Sequence, residues 1–211
     1  MPIKRDTAKI HYATEDGVCI EEMKSGAYMV SVARYETGVE LLNLIPQSSL
    51  LSFHQDFMLD RYETHFQHTN QLINLQAVYS SKERKTVSGD IVIKPLDESY
   101  LGVLLDHYDY DVGADYLRQS LHDGEIFGGY FGSSLIGFVG VHAEGSLGIL
   151  KVLGKYQKRG FGSMLTDHVI NHQLDKGIVP FAQIGTDNAA SLSMVRKVGF
   201  TLSTERVYWL F

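Results

Sequence analysis

The stretch Gln157-Lys158-Arg159-Gly160-Phe161-Gly162 decides the fold of this chain. It follows an apolar run, Leu147 to Leu153, and opens a helical pattern, so the sequence predicts a strand, a glycine turn and a helix in that order. The first N–H groups of a helix have no partner within the helix and carry partial positive charge. Because glycines lack a Cβ, a phosphate can approach such amides closely. We therefore expect an anion-binding turn here; the alternative is a glycine-rich turn that binds nothing.

The spacing of the glycines narrows the choice of phosphate ligand. A Walker loop needs Lys and Ser or Thr after its last glycine, and this pattern is absent. A dinucleotide fingerprint needs a third glycine where Leu165 stands. The stretch resembles Q/R-x-x-G-x-G, which is the pyrophosphate loop of the GNAT acetyltransferase superfamily.

A second local pattern agrees with this resemblance. Asn188 to Phe200 is similar to the family's N-x-x-[AS]-L-x-x-x-x-K-x-G-F helix, which packs beside the cofactor. Three shorter stretches, Glu144 to Gly148, Pro180 to Gln183 and Tyr208 to Phe211, resemble the branch related to glycine N-acyltransferases. From Ile91 to Phe211 the predicted element order is β-α-α-β-β-β-α-β-α-β, which resembles the GNAT order.

The predicted fold class is α+β, with a mixed, mostly antiparallel sheet flanked by helices. The resemblance implies a GNAT-like acyl-CoA N-acyltransferase fold with a smaller N-terminal α+β region. We expect residues 86–211 to form the catalytic GNAT domain. Residues 1–85 would form the N-terminal region, either a degenerate GNAT-like unit or another small α+β packing.

The N-terminal region carries secondary-structure signals but no chemical motif. Residues 18–32 read as a hairpin around Lys24-Ser25-Gly26, and residues 35–45 as a helix that stops before a proline. An aromatic-rich segment, 48–66, is predicted to be helical. Residues 72–79 follow as a strand, and the polar segment 80–90 is the best linker candidate.

Composition excludes several classes of function. The chain has 211 residues and a formal net charge of −6, and it lacks a Lys/Arg-rich block, so we expect no nucleic-acid partner. No apolar run approaches the ~20 residues that span a bilayer, so we expect no membrane partner and a cytoplasmic protein. Cys19 is the only cysteine, and in its alternating apolar surroundings it reads as a buried strand residue. A homodimer is compatible with the sequence.

The resemblance implies acetyl-CoA (CoA) as the cofactor and identifies residues that would hold it. The main chain of Lys151, Val152 and Leu153 would face the cofactor, with the N–H of Leu153 or Val152 as oxyanion donor, although the run also reads as an ordinary buried strand. The diphosphate would lie on the loop. The predicted cofactor-binding set is Lys151, Val152, Leu153, Gln157, Lys158, Arg159, Gly160, Phe161, Gly162, Ser163, Asn188 and Ser191. For the last two, a helix cap and a small helix residue are the plain alternatives.

The catalytic residues are harder to assign. Ser146 aligns with the family's general base, but a hydroxyl is not a base. Glu144 lies two residues earlier and would share a strand face with Ser146 if the strand extends that far. We therefore predict Glu144 as the base, directly or through water, assisted by His142. The alternatives are an exposed turn carboxylate and a strand-end histidine.

The usual general acid of the family is missing. A tyrosine would occupy the position of Val195, so Tyr208, another tyrosine or water would have to supply the proton. We expect no metal: His168 and His172 share a helix face but have no third ligand in a suitable arrangement.

The predicted function follows from these assignments. The chain would be an N-acetyltransferase moving an acetyl (acyl) group from acetyl-CoA to a primary amine by direct attack in a ternary complex. Its partner would be a small-molecule or amino-acid-like amine acceptor. The alternatives are a non-catalytic CoA-binding module and a protein or peptide N-acetyltransferase.

Overall fold

The fold is α+β in the computed structural model, which describes residues 2–47, 49–66, 70–87, 89, 91–110 and 112–211. The strands of the described residues are β1 (Ala8–Thr14), β2 (Gly17–Glu22), β3 (Ala27–Val32), β4 (Leu51–Phe53), β5 (Gln71–Val78), β6 (Ile91–Pro95), β7 (Ile126–Phe131), β8 (Ser134–Val141), β9 (Leu147–Val152), β10 (Phe181–Gly185) and β11 (Thr201–Leu210). The α-helices are α1 (Tyr35–Leu41), α2 (Leu59–Phe66), α3 (Leu101–His107), α4 (Ala114–His122), α5 (Phe161–Asp175) and α6 (Ala189–Lys197).

The chain forms two compact units. The first contains residues 2–76, 183–189 and 202–211, and the second contains residues 77–182 and 190–201. Because each unit is assembled from separate segments, its bounds differ from 1–85 and 86–211. The assignment of those two regions as separate domains stays a prediction.

In the first unit, β1, β2 and β3 form an antiparallel meander. The predicted hairpin is confirmed, with Glu22 paired to Ala27 across its turn. Strand β4 runs parallel to β3 and antiparallel to β11. The core of this unit is aromatic: Phe53 stacks on Tyr208 at 5.1 Å and meets Tyr62 edge-on at 4.8 Å between ring centroids.

Two features of the first unit differ from the sequence prediction. The prediction of a helix over 48–66 is wrong at Leu51–Phe53, which forms β4, whereas Leu59–Phe66 is helical; Ser48 lies outside the described residues. All three residues of β4 are buried, and the periodicity of so short an apolar run does not separate strand from helix. Strand β1 has no predicted counterpart; its residues are exposed or half-buried, so they give no apolar alternation.

In the second unit, β6 to β9 pair antiparallel in chain order, with α3 and α4 between β6 and β7 along the chain. Helix α5 packs on β8 and β9. The predicted order β-α-α-β-β-β-α-β-α-β from Ile91 onward is confirmed, and β5 confirms the predicted strand over 72–79 with ends shifted by one residue. Side chains from α3, α4 and β7 to β9 share one core: Leu104, Leu117, Leu121, Ile126, Phe138 and Ile149.

Strand β9 contains a bulge. Phe138 pairs with Lys151 and Gly140 with Gly148, so β9 has two residues, Ile149 and Leu150, where β8 has one. Ile149 has φ +51°, a left-handed conformation that a β-branched residue rarely adopts. Within this unit, β9 and β10 are parallel, and Leu147 pairs with Ala182. The bulge therefore redirects the main chain of β9 just before Lys151.

Candidate active site

The predicted glycine turn forms the N-terminus of α5. We call residues 157–163 the glycine loop. Gly160 precedes the helix at φ +86°, and Lys158 also has positive φ, +60°. Three amides, those of Phe161, Gly162 and Ser163, belong to the first turn of α5, where helix N–H groups have no partner in the helix. This turn contains no acidic side chain, so its partial positive charge is not neutralised there.

The glycine loop leaves room for a ligand. A Cβ added at Gly160 would meet no heavy atom within 4 Å. At Gly162 the nearest atoms to an added Cβ would be Met194 Sδ at 3.4 Å and Val152 Cγ2 at 3.6 Å. The lack of side chains thus opens a space at the helix start, which fits a diphosphate held by main-chain amides.

Cationic side chains surround the same loop. The Arg159 guanidinium lies 5.3 Å from the centroid of the Phe161 ring, and Lys155 Nζ lies 5.0 Å from that of Tyr156. The pKa of Tyr156 is lowered, first by a hydrogen bond with Ser134 and further by Lys155 and Arg159. Lys155 and Arg159 thus both act as positive charges next to the loop.

The glycine loop is tied to the end of β9. Gln157 Nε2 donates to the Val152 carbonyl at 3.1 Å. Leu153 donates its own N–H to the carbonyl of Ile136 at 2.9 Å. Because successive N–H groups of a strand point to opposite sides, the N–H of Val152 points away from β8. Of the two expected oxyanion donors, Leu153 is thus engaged with β8, and Val152 is the better candidate.

His142, Glu144 and Ser146 lie in a turn between β8 and β9, which we call the acidic turn (142–146). The condition for a shared strand face is not met, since β8 ends at Val141 and β9 begins at Leu147. The turn is closed by two hydrogen bonds: His142 N–H to the Ser146 carbonyl at 2.9 Å, and Gly145 N–H to the His142 carbonyl at 2.8 Å.

The turn nevertheless brings Glu144 and Ser146 together. The Ser146 hydroxyl donates to Glu144 Oε1. Glu144 is only 7% exposed and Ser146 only 2%, so the expectation of an exposed turn carboxylate is wrong. Gln173 of α5 is itself buried, and its Nε2 donates to the Gly145 carbonyl at 2.8 Å. Helix α5 therefore carries the glycine loop at one end and holds the acidic turn near the other.

His142 is fixed by contacts of its own. Its Nδ1 lies 3.0 Å from the Tyr116 hydroxyl, whose oxygen also accepts the Ala143 N–H at 3.1 Å. An added Cβ at Gly148 would lie 2.3 Å from His142 Nε2, so only a glycine leaves space for this ring. His142 is thus held beside β9.

Tyr108 is a residue that the sequence reasoning missed. A hydrogen bond joins it to the backbone of Ile149 at the bulge, and it lies within the electrostatic reach of Glu144. Burial is the main reason why the pKa of Tyr108 is raised. Tyr108 is also one of the residues that line a cavity of about 250 Å³ between α3 and α4. No motif marks Tyr108 in the sequence, because its importance comes from contacts with residues about 40 positions away.

The remaining predicted residues are placed as follows. Lys151 Nζ lies 2.5 Å from Asp109 Oδ1. Asn188 immediately precedes α6 and belongs to the first unit, whereas Ser191 lies in α6 within the second. Val195 is buried in α6. Tyr208 is buried in the first unit, and its hydroxyl donates to Asp56 Oδ1 at 2.7 Å. This hydrogen bond uses the proton that Tyr208 would have to supply as a general acid.

The two helix histidines pack on an aromatic ring. His168 and His172 each meet Phe127 edge-on, at centroid distances of 4.9 and 4.8 Å. Within the described ranges, no group of three or more His, Cys, Asp or Glu side chains is arranged to hold a metal ion.

Comparison with known proteins now adds to this geometry. Residues 132–210, which include the acidic turn and the glycine loop, match the model of the family described as FR47-like protein. The search of curated proteins found no match.

Several solved structures share the fold. A Drosophila protein superposes with a TM-score of 0.71 at 16% identity, covering 92% of this chain and 74% of that one. A GNAT-family acetyltransferase from Novosphingobium aromaticivorans gives a TM-score of 0.64 at 13% identity, covering 99% and 92%. A GNAT-family acetyltransferase from Colwellia psychrerythraea gives 0.58 at 14% identity, covering 95% and 83%.

At these identities the structural likeness establishes the fold. The chain has the fold of the GNAT-family acetyltransferases among these structures, and the FR47-like match lies within that fold.

Proposed function

We propose that this protein is an N-acetyltransferase that moves an acetyl (acyl) group from acetyl-CoA to a primary amine of a small-molecule or amino-acid-like acceptor, by direct attack in a ternary complex. One observation carries the proposal: the N-terminus of α5 opens behind left-handed Gly160, with free space at the glycine and no acid in its first turn. Amides arranged in this way bind phosphate groups.

The same residues would hold the cofactor. Amides of Phe161, Gly162 and Ser163, with the charges of Lys158 and Arg159, would bind the diphosphate. Lys151, Val152 and Leu153 would border the pantetheine arm with their main chain, and Gln157 would keep the loop against β9. Ser191, with Asn188 ahead of it, would add contacts from the α6 region. Acetyl-CoA supplies an activated acyl thioester when bound.

The chemistry of the chain's own residues would come from the acidic turn and β9. Glu144 would accept a proton from the incoming amine, directly or through water. Ser146 holds the Glu144 carboxylate by a hydrogen bond, and His142, the first residue of the same turn, would assist. Val152 N–H would donate to the carbonyl oxygen on which negative charge develops. Val195 offers no proton, and a strong acid is not required because ordinary thiols have a pKa near ~8.5.

The finer assignments belong to this proposal as well. They are the kinship with glycine N-acyltransferases, action in the cytoplasm and a homodimeric state. Within the described residues, no helix combines the length and the apolar character needed to cross a bilayer.

The test is turnover with a panel of primary amines and acetyl-CoA, followed by release of the free thiol. We expect amine-dependent thiol release and a product mass increased by one acetyl group. CoA binding without thiol release for any amine or peptide would favour a non-catalytic CoA-binding module. Release with peptides but with no small amine would favour a protein N-acetyltransferase. Absence of CoA binding would overturn the proposal entirely.

A further inference from the structure

Tyr116 of α4 makes two hydrogen bonds with the start of the acidic turn. Its hydroxyl oxygen lies 3.0 Å from His142 Nδ1 and accepts the Ala143 N–H at 3.1 Å. The rings of Tyr116 and His142 are also close to parallel, with 26° between their planes and 6.2 Å between their centroids. One phenol therefore holds both the His142 side chain and the main chain next to Glu144.

Tyr116 is itself well supported. It lies within α4 and packs, partly buried, against the core that α3, α4 and β7 to β9 share. A packed tyrosine side chain keeps one staggered conformation, so its hydroxyl has a defined position. The support for the His142 ring thus comes from the core of the second unit, through a residue 26 positions away in the chain.

Gly148 of β9 provides the space for the His142 ring. A Cβ added at Gly148 would lie 2.3 Å from His142 Nε2 and 2.5 Å from its Cδ2, so any side chain there would clash with the ring. Gly148 does not have a positive φ, so its backbone conformation does not require a glycine. The missing side chain instead lets Nε2 lie against β9, one residue before the bulge at Ile149.

The two ring nitrogens of His142 therefore have different surroundings. Nδ1 is engaged by the Tyr116 hydroxyl, whereas Nε2 lies against β9, the strand that would border the cofactor in the proposed reaction. In an imidazole, the hydrogen bond that one nitrogen makes determines whether the other is a donor or an acceptor. Nε2 is thus the nitrogen through which His142 can act on a group bound beside β9.

We infer that Tyr116 is a positioning residue of the proposed reaction, that it fixes the His142 ring through Nδ1, and that His142 assists through Nε2 in the space left by Gly148. The inference rests on the proposed function and specifies how His142 takes part in it. The bonds that close the acidic turn use the main chain of His142, not its ring. The two roles of this residue can therefore be separated by experiment.

The first experiment observes the His142 ring directly, without any substrate. Long-range nitrogen-15 NMR of the labelled full chain at mildly alkaline pH reports which ring nitrogen carries the proton. We expect one tautomer of His142 in the native protein and a mixture of tautomers in Tyr116→Phe. Tyr35→Phe, at a 46% exposed position, controls for the loss of a hydroxyl and should leave the His142 signals unchanged. Identical His142 signals in Tyr116→Phe and the native protein would overturn the positioning role.

The second experiment measures kcat and the CoA dissociation constant. Gly148→Ala should displace Nε2 and Tyr116→Phe should release Nδ1, so each should lower kcat at least about fivefold and change CoA affinity less than about twofold. Gly102→Ala is the matched control for the glycine, because a Cβ at Gly102 would meet no heavy atom within 4 Å.

A double-mutant cycle separates positioning from plain structural support. If Gly148 and Tyr116 act through the His142 ring, then in a His142→Ala background neither substitution should lower kcat further by more than about twofold. Losses that persist in this background, or single variants with unchanged kcat, would overturn the inference. Absence of CoA binding and turnover would overturn the proposed function, whereas the NMR spectra would still decide whether Tyr116 fixes the ring.

Discussion

The glycine loop and the acidic turn are two parts of one candidate site that are built in opposite ways. The glycine loop presents main-chain amides, and what it needs from the sequence is local: a left-handed Gly160 and the helix that follows it. The acidic turn presents side chains, and their positions depend on residues 27 or 28 positions away, Tyr116 and Gln173. A main-chain site can therefore be recognised in a short stretch of sequence, whereas a side-chain site depends on tertiary contacts.

The largest expected effect separates chemistry from binding. Glu144→Gln preserves the size of the side chain but removes the proposed base, so kcat/KM should fall by ~10²-fold or more. We assign CoA binding to the glycine loop, so the affinity for CoA should change by less than about twofold. Steady-state kinetics and calorimetry measure the two quantities. Glu205→Gln serves as control, because the Glu205 side chain is 79% exposed. A loss below tenfold would remove Glu144 from the mechanism.

Charge reversal in the glycine loop should give the opposite pattern. The double variant Lys158→Glu, Arg159→Glu places two negative charges at the helix start where a diphosphate would bind. Because these charges repel the diphosphate, we expect CoA to bind ~10–100-fold more weakly. Acceptor binding to the free protein should persist. Calorimetry on the same variant measures both, with Lys82→Glu as an exposed control. Unchanged CoA affinity would contradict the assignment of CoA binding to the glycine loop.

An intermediate effect concerns the link between α5 and the acidic turn. Gln173→Ala leaves the Gly145 carbonyl without its donor in a buried setting, and the free energy of unfolding should fall by about 1–3 kcal/mol. Because the turn loses a support, kcat should fall more than CoA affinity does. Urea unfolding and kinetics test this, with exposed Gln119→Ala as the control. An equal loss of both functional quantities would show that Gln173 acts on the whole of α5.

The smallest expected effect is on the pH dependence of stability, and it arises from a histidine in the body of α5. The pKa of His168 is lowered, first by burial and then by the charge of His172. The unfolded chain therefore binds a proton more readily than the native one, so stability should fall as pH drops through the ordinary histidine pKa of ~6.5. His168→Gln should flatten the dependence of unfolding free energy on pH below about 7. His107→Gln, at an exposed position, should leave it unchanged; a steeper slope for His168→Gln would contradict the assignment.

Much of the second unit could be predicted because its signals are local. Glycines mark the turns, and apolar periods mark α3 to α5 and β7 to β9, so element order and the start of α5 follow from the sequence. Strand β4 could not be predicted in the same way. Its three buried residues become a strand through pairing with β3 and β11, and β11 lies about 150 residues further along the chain.

In the candidate site, too, the features set by local sequence can be predicted, and those set by distant contacts cannot. The glycine turn and the helix that follows it can be predicted from the sequence, whereas the choice between Val152 and Leu153 depends on the hydrogen bond of Leu153 to Ile136. The shared strand face on which the pairing of Glu144 with Ser146 was conditional does not form, because β8 ends before the turn begins; the turn brings the two side chains together instead. Tyr108 could not be found at all, since neither the bulge at Ile149 nor the cavity has a sequence signature.

The most direct measurement of the central claim is an amide NMR titration of the nitrogen-15-labelled chain with CoA. The account predicts saturable binding, with the largest shift changes at the amides of Phe161, Gly162 and Ser163 and smaller ones at Val152. Binding that leaves these amides unshifted, or no binding at millimolar CoA, would contradict it.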